Sequence, residues 1–97
     1  MEWDFSGQII EWRGPAPFLF LVLPQEVAND IRSISSKVTY GWGAIPVYAT
    51  IGNTEYKTSL FPKNGTYYLP LKVSVQKAEG LELGQVREAR IEINFQL

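Results

Sequence analysis

Gly41-Trp42-Gly43-Ala44-Ile45-Pro46-Val47-Tyr48-Ala49-Thr50-Ile51-Gly52-Asn53-Thr54-Glu55-Tyr56-Lys57-Thr58-Ser59-Leu60-Phe61-Pro62 is the stretch whose reading decides the fold. Ile45, Val47, Ala49 and Ile51 recur with period two, the pattern of a strand with one buried face. Gly52-Asn53 is a turn signal, and Tyr56, Thr58 and Leu60 resume the alternation on the way back. Residues 45–61 therefore predict a β-hairpin. Trp42 stands between two glycines at the mouth of the first strand, and Pro62 ends the second.

Upstream, Trp3, Phe5 and Ile9 alternate loosely with Asp4, Ser6 and Gln8, which predicts a strand with Gly7 as a candidate bulge. Gly14-Pro15-Ala16-Pro17 reads as a loop. Phe18 to Leu23 is a continuous apolar run, the signature of a strand buried on both faces. Pro24 stops it and suits the first turn of a helix. Val27, Ile31 and Ile34 then mark one helical face over about three turns. A strand starts at Val38 to Tyr40 and is broken by Gly41-Trp42-Gly43.

Downstream, Pro62-Lys63-Asn64-Gly65 is a turn followed by a short strand over residues 66–69. Pro70 opens a second helix with Leu71, Val75 and Ala78 on one face and Gly80 as its left-handed terminator. The last strand points Ala89, Ile91, Ile93 and Phe95 inward. Val86 has the opposite parity, which predicts a bulge or face switch near Arg87-Glu88. The order is β-β-α-β-β-β-α-β, mainly β. It suits a small closed barrel of about six strands with two short helices at its ends.

The chain of 97 residues, 45% hydrophobic, allows one domain spanning residues 1–97 and leaves no room for a second. It has no cysteine and no histidine. Disulfides, thiolate nucleophiles, the usual zinc sites, haem ligation by His or Cys, and Ser-His-Asp or Cys-His catalysis are thereby excluded. Nine basic residues against ten acidic ones give a net charge of −1, without the basic bias of a nucleic-acid-binding protein. The start, Met1-Glu2-Trp3-Asp4-Phe5, is acidic and aromatic, unlike a targeting peptide, and the longest apolar run is too short to span a bilayer. A soluble, cytoplasmic protein is the expectation, with no membrane partner and no cofactor.

Leu23-Pro24 and Leu69-Pro70 share a setting. Each ends an apolar strand, each begins a helix, and a strand follows each helix. The repetition suggests two pseudo-symmetric halves that interleave to close one barrel and remove its edges. Aligning the prolines places Glu26 and Lys72 at the same third helical position. Glu26 suits the positive end of the helix dipole and Lys72 opposes it. A cation there makes sense if an anion binds beside it; otherwise Lys72 extends into water or meets a carboxylate.

Phe5, Val22-Leu23-Pro24, the segment from Gly41 to Val47, Thr58-Ser59-Leu60-Phe61-Pro62, Tyr68-Leu69-Pro70-Leu71-Lys72, Gly80-Leu81 and Gly84 together resemble a bacterial family catalogued as Domain of Unknown Function 1905. The resemblance covers nearly the whole chain in order and spacing. It implies a small β-barrel of the double-split type, shared with the swapped-hairpin transcription factors that include AbrB and MazE. It implies no agreed activity. The chain departs from the family at Gly84-Gln85, where members usually carry Gly-Asp. It departs again at Tyr40, where an Arg is common.

Four residues are candidates for a binding site: Trp42, Lys72, Tyr40 and Ser59. Trp42, between glycines that allow close approach, serves either as an aromatic platform or as a plug sealing one end of the barrel. Ser59, like Thr58, donates either to a ligand or to nearby backbone. As a nucleophile Ser59 would need Lys57 or Lys72 as its base. Glu88, Arg90 and Glu92 lie on an outer strand face, where ordinary ion pairs are the rule. No phosphate-cradling Gly-x-x-x-x-Gly-Lys loop is present. No catalytic or metal site is read from the sequence. The leading expectation is a non-enzymatic binding module for a small anionic ligand or peptide, monomeric or weakly dimeric. The alternatives are DNA binding by fold analogy, and an enzyme using Lys72 or a buried carboxylate.

Overall fold

The computed structural model describes residues 1–14, 18–35 and 43–94. Its elements are β1 (Glu2–Trp12), β2 (Phe18–Val22), α1 (Gln25–Ser35), β3 (Ile45–Ile51), β4 (Thr54–Lys63), β5 (Thr66–Leu71), α2 (Val73–Glu79) and β6 (Val86–Glu92). This is the order read from the sequence. The strand at Val38 to Tyr40, and Phe95, lie outside the described residues.

The strands close an antiparallel barrel in the order β1-β2-β5-β4-β3-β6. Every strand has two neighbours, and β1 and β4 divide theirs along their length. β1 pairs with β6 over Glu2 to Gln8 and with β2 over Ile9 to Trp12. β4 pairs with β3 from Thr54 to Leu60 and with β5 from Phe61 to Lys63. Gly7 sits where β1 changes partner. It makes no bulge: the register with β6 runs unbroken through it. A Cβ on Gly7 would overlap the Val22 carbonyl oxygen, so the residue is glycine to let two strands approach. The register is equally continuous at Arg87-Glu88. Val86 keeps the outward parity of Glu88 and Arg90 and stands exposed, so the predicted face switch does not occur.

The β3–β4 and β4–β5 hairpins each turn on two residues. Asn64 and Gly65 have φ of 52° and 78°, the paired positive angles of a type I′ turn. The turn is thus tighter than the sequence suggested, and β4 continues through Pro62 to Lys63. Proline interrupts none of the strands it enters. In a two-residue hairpin the closing pair is hydrogen-bonded, and pairs then alternate. Counting from Lys63↔Thr66 makes Pro62↔Tyr67 a non-hydrogen-bonded pair. Counting from Ile51↔Thr54 does the same for Pro46↔Ser59. The Leu23 N–H bond to the Tyr67 carbonyl at 3.0 Å sets the phase of β2 and β5, and Phe20↔Pro70 falls in the same class. Each proline therefore lacks its N–H on the side facing away from its partner, where no ladder bond is lost.

That placement corrects the second helix. Pro70 lies within β5, and α2 begins only at Val73, with Lys72 as its N-cap. Pro24, by contrast, directly precedes α1. Gly80, at φ 62°, ends α2 as expected. Glu26 and Lys72 are consequently not equivalent. The repeat itself holds, with an offset of 48 residues rather than 46: Leu21 faces Leu69 in the ladder, and the helices start at residues 25 and 73. Strand order and register both read the same when the halves are exchanged. The pseudo-twofold axis passes through the Leu21–Leu69 pair.

Inside lie the alternating residues of every strand, among them Ile9, Leu21, Ile45, Ile51, Leu60, Leu69 and Ile91, all with essentially no exposure. Burying each such side chain contributes about 1.5–3 kcal/mol. α1 adds Ala28 and Ile31 to this core and α2 adds Val75, while Ala78 faces solvent. Trp3 packs against the core and its indole N–H donates to the Asp30 carboxylate at 2.7 Å, pinning α1 to β1. Arg32 and Gln25 donate to the Gly65 carbonyl at 2.7 and 3.0 Å, tying α1 to the β4–β5 turn.

Candidate functional site

β2 is not buried on both faces. Leu21 is buried and Leu19 packs against the core, but Phe18 is 49% exposed and Phe20 half-buried on the outside of the barrel. The same outward parity carries Lys57, Ser59, Phe61 and Lys63 on β4, and Tyr68 and Pro70 on β5. Pro46 of β3 and Trp12 of β1 flank them, and Ala44, Thr58 and Lys72 complete the rim. These residues line a groove of about 800 Å³ on the outer surface of β2, β5 and β4. That volume falls in the range of small-molecule sites.

The floor is aromatic. Phe18 and Phe20 have ring centroids 6.4 Å apart at 46°, and Phe20 and Tyr68 are 5.8 Å apart at 49°. The Asn64 side-chain amide donates to the Tyr68 hydroxyl at 2.9 Å and fixes that ring. Trp12, Phe18 and Phe61 keep 47, 49 and 49% of their surface open to solvent. Half-exposed aromatics gathered on one face are an unfinished apolar surface, not the scattered exposure of an ordinary exterior.

The rim is cationic. Lys63 holds its ammonium 5.3 Å from the Trp12 ring centroid, Lys57 lies 5.4 Å from Tyr48, and Lys72 lies 6.0 Å from Tyr56. Rings attract ammonium groups without neutralising them. Among the described residues, no carboxylate lines the groove. The four arginines are held by their own chain: Arg13 by Glu11 at 3.4 Å, Arg90 by Asp4 at 2.7 Å, Arg32 by the Gly65 carbonyl and Arg87 by the Glu79 carbonyl. The Arg90 guanidinium, through its hydrogen bond and then its charge, holds the exposed Asp4 carboxyl below the usual carboxylate range.

Tyr56 links groove and core. It points inward from β4, yet its hydroxyl donates to the Pro70 carbonyl at 2.9 Å. Burial pushes its phenol well above the ordinary value, so it stays a neutral donor. All ten carboxylates lie outside the core, each at least partly exposed. Among the described residues, no group of three or more carboxylates could hold a metal ion.

Of the four candidates read from the sequence, Ser59 and Lys72 meet in this groove. Tyr40 and Trp42 lie outside the described residues. Lys72 does not act from inside a helix: it caps a helix of only seven residues, with extended backbone and no side-chain cap bond. The aromatic floor was missed in the sequence. The signal lay in the alternation of β4, where reading Tyr56 and Leu60 inward places Lys57, Ser59, Phe61 and Lys63 together on the other face. At Gly84-Gln85, the Gln85 side-chain carbonyl accepts the Glu82 N–H at 3.0 Å and so closes the turn.

No curated protein sequence matches the chain. The family model described as domain of unknown function (DUF1905) matches residues 5–91. Those residues take in four strands whole, most of β1 and β6, and the whole groove from Trp12 to Lys72, and the chain belongs to that family.

Proposed function

We propose that this protein is a non-enzymatic binding module whose outer groove holds a small amphipathic anion. The observation that supports the reading is the composition of one surface. Among the described residues, five aromatic side chains form its floor, three lysines its rim, and no carboxylate is present to repel an anion. Aromatic surface supplies apolar burial, and ammonium groups beside low-dielectric rings supply orientation and charge selectivity. The protein acts as a monomer or weak homodimer in the cytoplasm.

DNA binding draws less support. It needs many cations on one face for counterion release, whereas the arginines are engaged within the chain and the net charge is −1. An enzyme working through a buried carboxylate has no residue to use, because none of the ten is in the core.

Anilinonaphthalene sulfonate, an aromatic anion, tests the reading. The module predicts saturable one-to-one fluorescence enhancement, with amide shifts confined to Phe20, Ser59, Phe61, Tyr68 and Lys72. Absence of saturation, or shifts spread over β1 and β6, overturns it.

A further inference from the structure

The two halves of the chain supply an internal control for the groove. Exchange of the halves maps β2 onto β5, and the starts of the strands at residues 18 and 66 and of the helices at 25 and 73 set the offset at 48. The ladder pair Ile10↔Phe20 then corresponds to Phe61↔Tyr68, which maps β1 onto β4 with an offset of 51. Pro46↔Ser59 likewise corresponds to Val86↔Gln8. In this scheme Lys57 answers to Ser6, Ser59 to Gln8, Lys63 to Trp12 and Lys72 to Pro24. The barrel forms with uncharged residues at all these positions in its first half. Closing the barrel therefore does not require the three lysines of the second half, and their convergence on one aromatic surface calls for another reason.

Two ends of the groove are distinguishable. Lys57 and Lys63 are six residues apart on one strand, roughly 20 Å at the rise of an extended chain, so one small anion does not reach both. At the Lys63 end a single ammonium lies over the Trp12 ring. At the other end Lys57 and Ser59 project from one face of β4, and Lys72 stands over Tyr56, whose hydroxyl is bonded to Pro70. Two ammonium groups and a hydroxyl there outweigh one ammonium. Among the described residues, no arginine and no glycine lines the groove. Its described wall therefore offers none of the guanidinium forks or glycine N–H groups that favour phosphate. The tilted succession of Phe18, Phe20 and Tyr68 presents both ring faces and ring edges, which suits an aromatic body.

We infer that the groove takes an aromatic carboxylate, its carboxylate between Lys57 and Lys72 with the Ser59 hydroxyl donating to it, and its rings over Pro70, Phe20 and Phe61. This rests on the binding-module reading and names its ligand class. Lys72 is held in place by the Tyr56 ring, which makes Tyr56 a positioning residue.

Calorimetric titration with naphthoate, its neutral isostere naphthylmethanol, and uridine monophosphate tests the inference on the full chain. Naphthoate is expected to bind one-to-one, about tenfold tighter than naphthylmethanol. Lys57→Gln and Lys72→Gln are each expected to weaken naphthoate by about three- to tenfold and to leave naphthylmethanol unchanged. Lys63→Gln is expected to leave naphthoate within about twofold. Equal binding of the neutral isostere, tighter binding of the nucleotide, or a dominant effect of Lys63→Gln overturns the inference. If anilinonaphthalene sulfonate binds and naphthoate does not, this inference alone falls; if neither binds, the module reading falls with it. Circular dichroism and thermal midpoints of the lysine variants confirm that each is folded.

Discussion

The Tyr56 hydroxyl bridges to the Pro70 carbonyl at 2.9 Å across the gap where β4 and β5 have parted. Because Phe20↔Pro70 is a non-hydrogen-bonded pair, the Pro70 carbonyl points away from β2 and into that gap, with no ladder partner. The phenol takes the place of a missing strand contact. It also supports the wall from which Lys72 leaves β5.

Removing that hydroxyl leaves a shielded carbonyl unsatisfied. Tyr56→Phe is expected to lower the unfolding free energy by about 1–3 kcal/mol. For a domain of this size each kcal/mol moves the thermal midpoint by roughly 4–8 °C. Urea unfolding measures the loss directly; an unchanged midpoint would show that the bond contributes nothing.

The same phenol gives the barrel an alkaline limit. Its pKa is raised by burial in the folded state. The unfolded chain therefore loses this proton first, above about pH 10, while the folded chain keeps it. Below that pH the contribution is fully present; above it, stability falls by up to about 1.4 kcal/mol per pH unit. Unfolding followed from pH 8 to 11 is expected to show this decline in the native chain and a shallower one in Tyr56→Phe. Parallel profiles would contradict the assignment.

Gly7 is fixed by the Val22 backbone and not by φ. Gly7→Ala forces the β1–β2 corner apart, at a cost of about 1–3 kcal/mol or more. Differential scanning calorimetry of this variant beside Ser6→Ala, an exposed neighbour, separates local packing from strand propensity. Equal midpoints for the two would refute the close-approach account.

At the pseudo-twofold axis, Leu21 and Leu69 have no exposed surface and face each other in the ladder. Leu21→Ala and Leu69→Ala are each expected to cost about 2–5 kcal/mol. The double variant should depart from additivity because the two cavities adjoin. Urea midpoints of the three variants give the coupling; strict additivity would argue that the pair is not the centre of the core.

Much of this barrel was legible as alternation. Ile45 to Ile51, with Tyr56 and Leu60, announced a hairpin because only one face of each strand meets the core. The repeat was legible through its Leu-Pro pairs. Its register was not, because a proline interrupts a strand or fits it according to the direction of its missing N–H, which depends on a partner strand the local sequence does not reveal. Phe18 to Val22 misled for a related reason. An aromatic outer face lengthens an apolar run as a second core face would. Of the candidate residues read from type and position, Ser59 and Lys72 line the groove, and Tyr40 and Trp42 lie outside the described residues. Its aromatic floor draws on four strands, β1, β2, β4 and β5, and exists only once the barrel has closed.

We propose that the charged half of a pseudo-symmetric surface binds an aromatic anion. It is tested most directly by an amide-resolved NMR titration of nitrogen-labelled protein with naphthoate, in which the uncharged half is the control. Lys57, Ser59, Phe61, Tyr68 and Lys72 are expected to shift together on one saturable curve, while Ser6, Gln8, Val22 and Val86 stay still. Equal movement of both sets, or no saturable movement of the first, would contradict it.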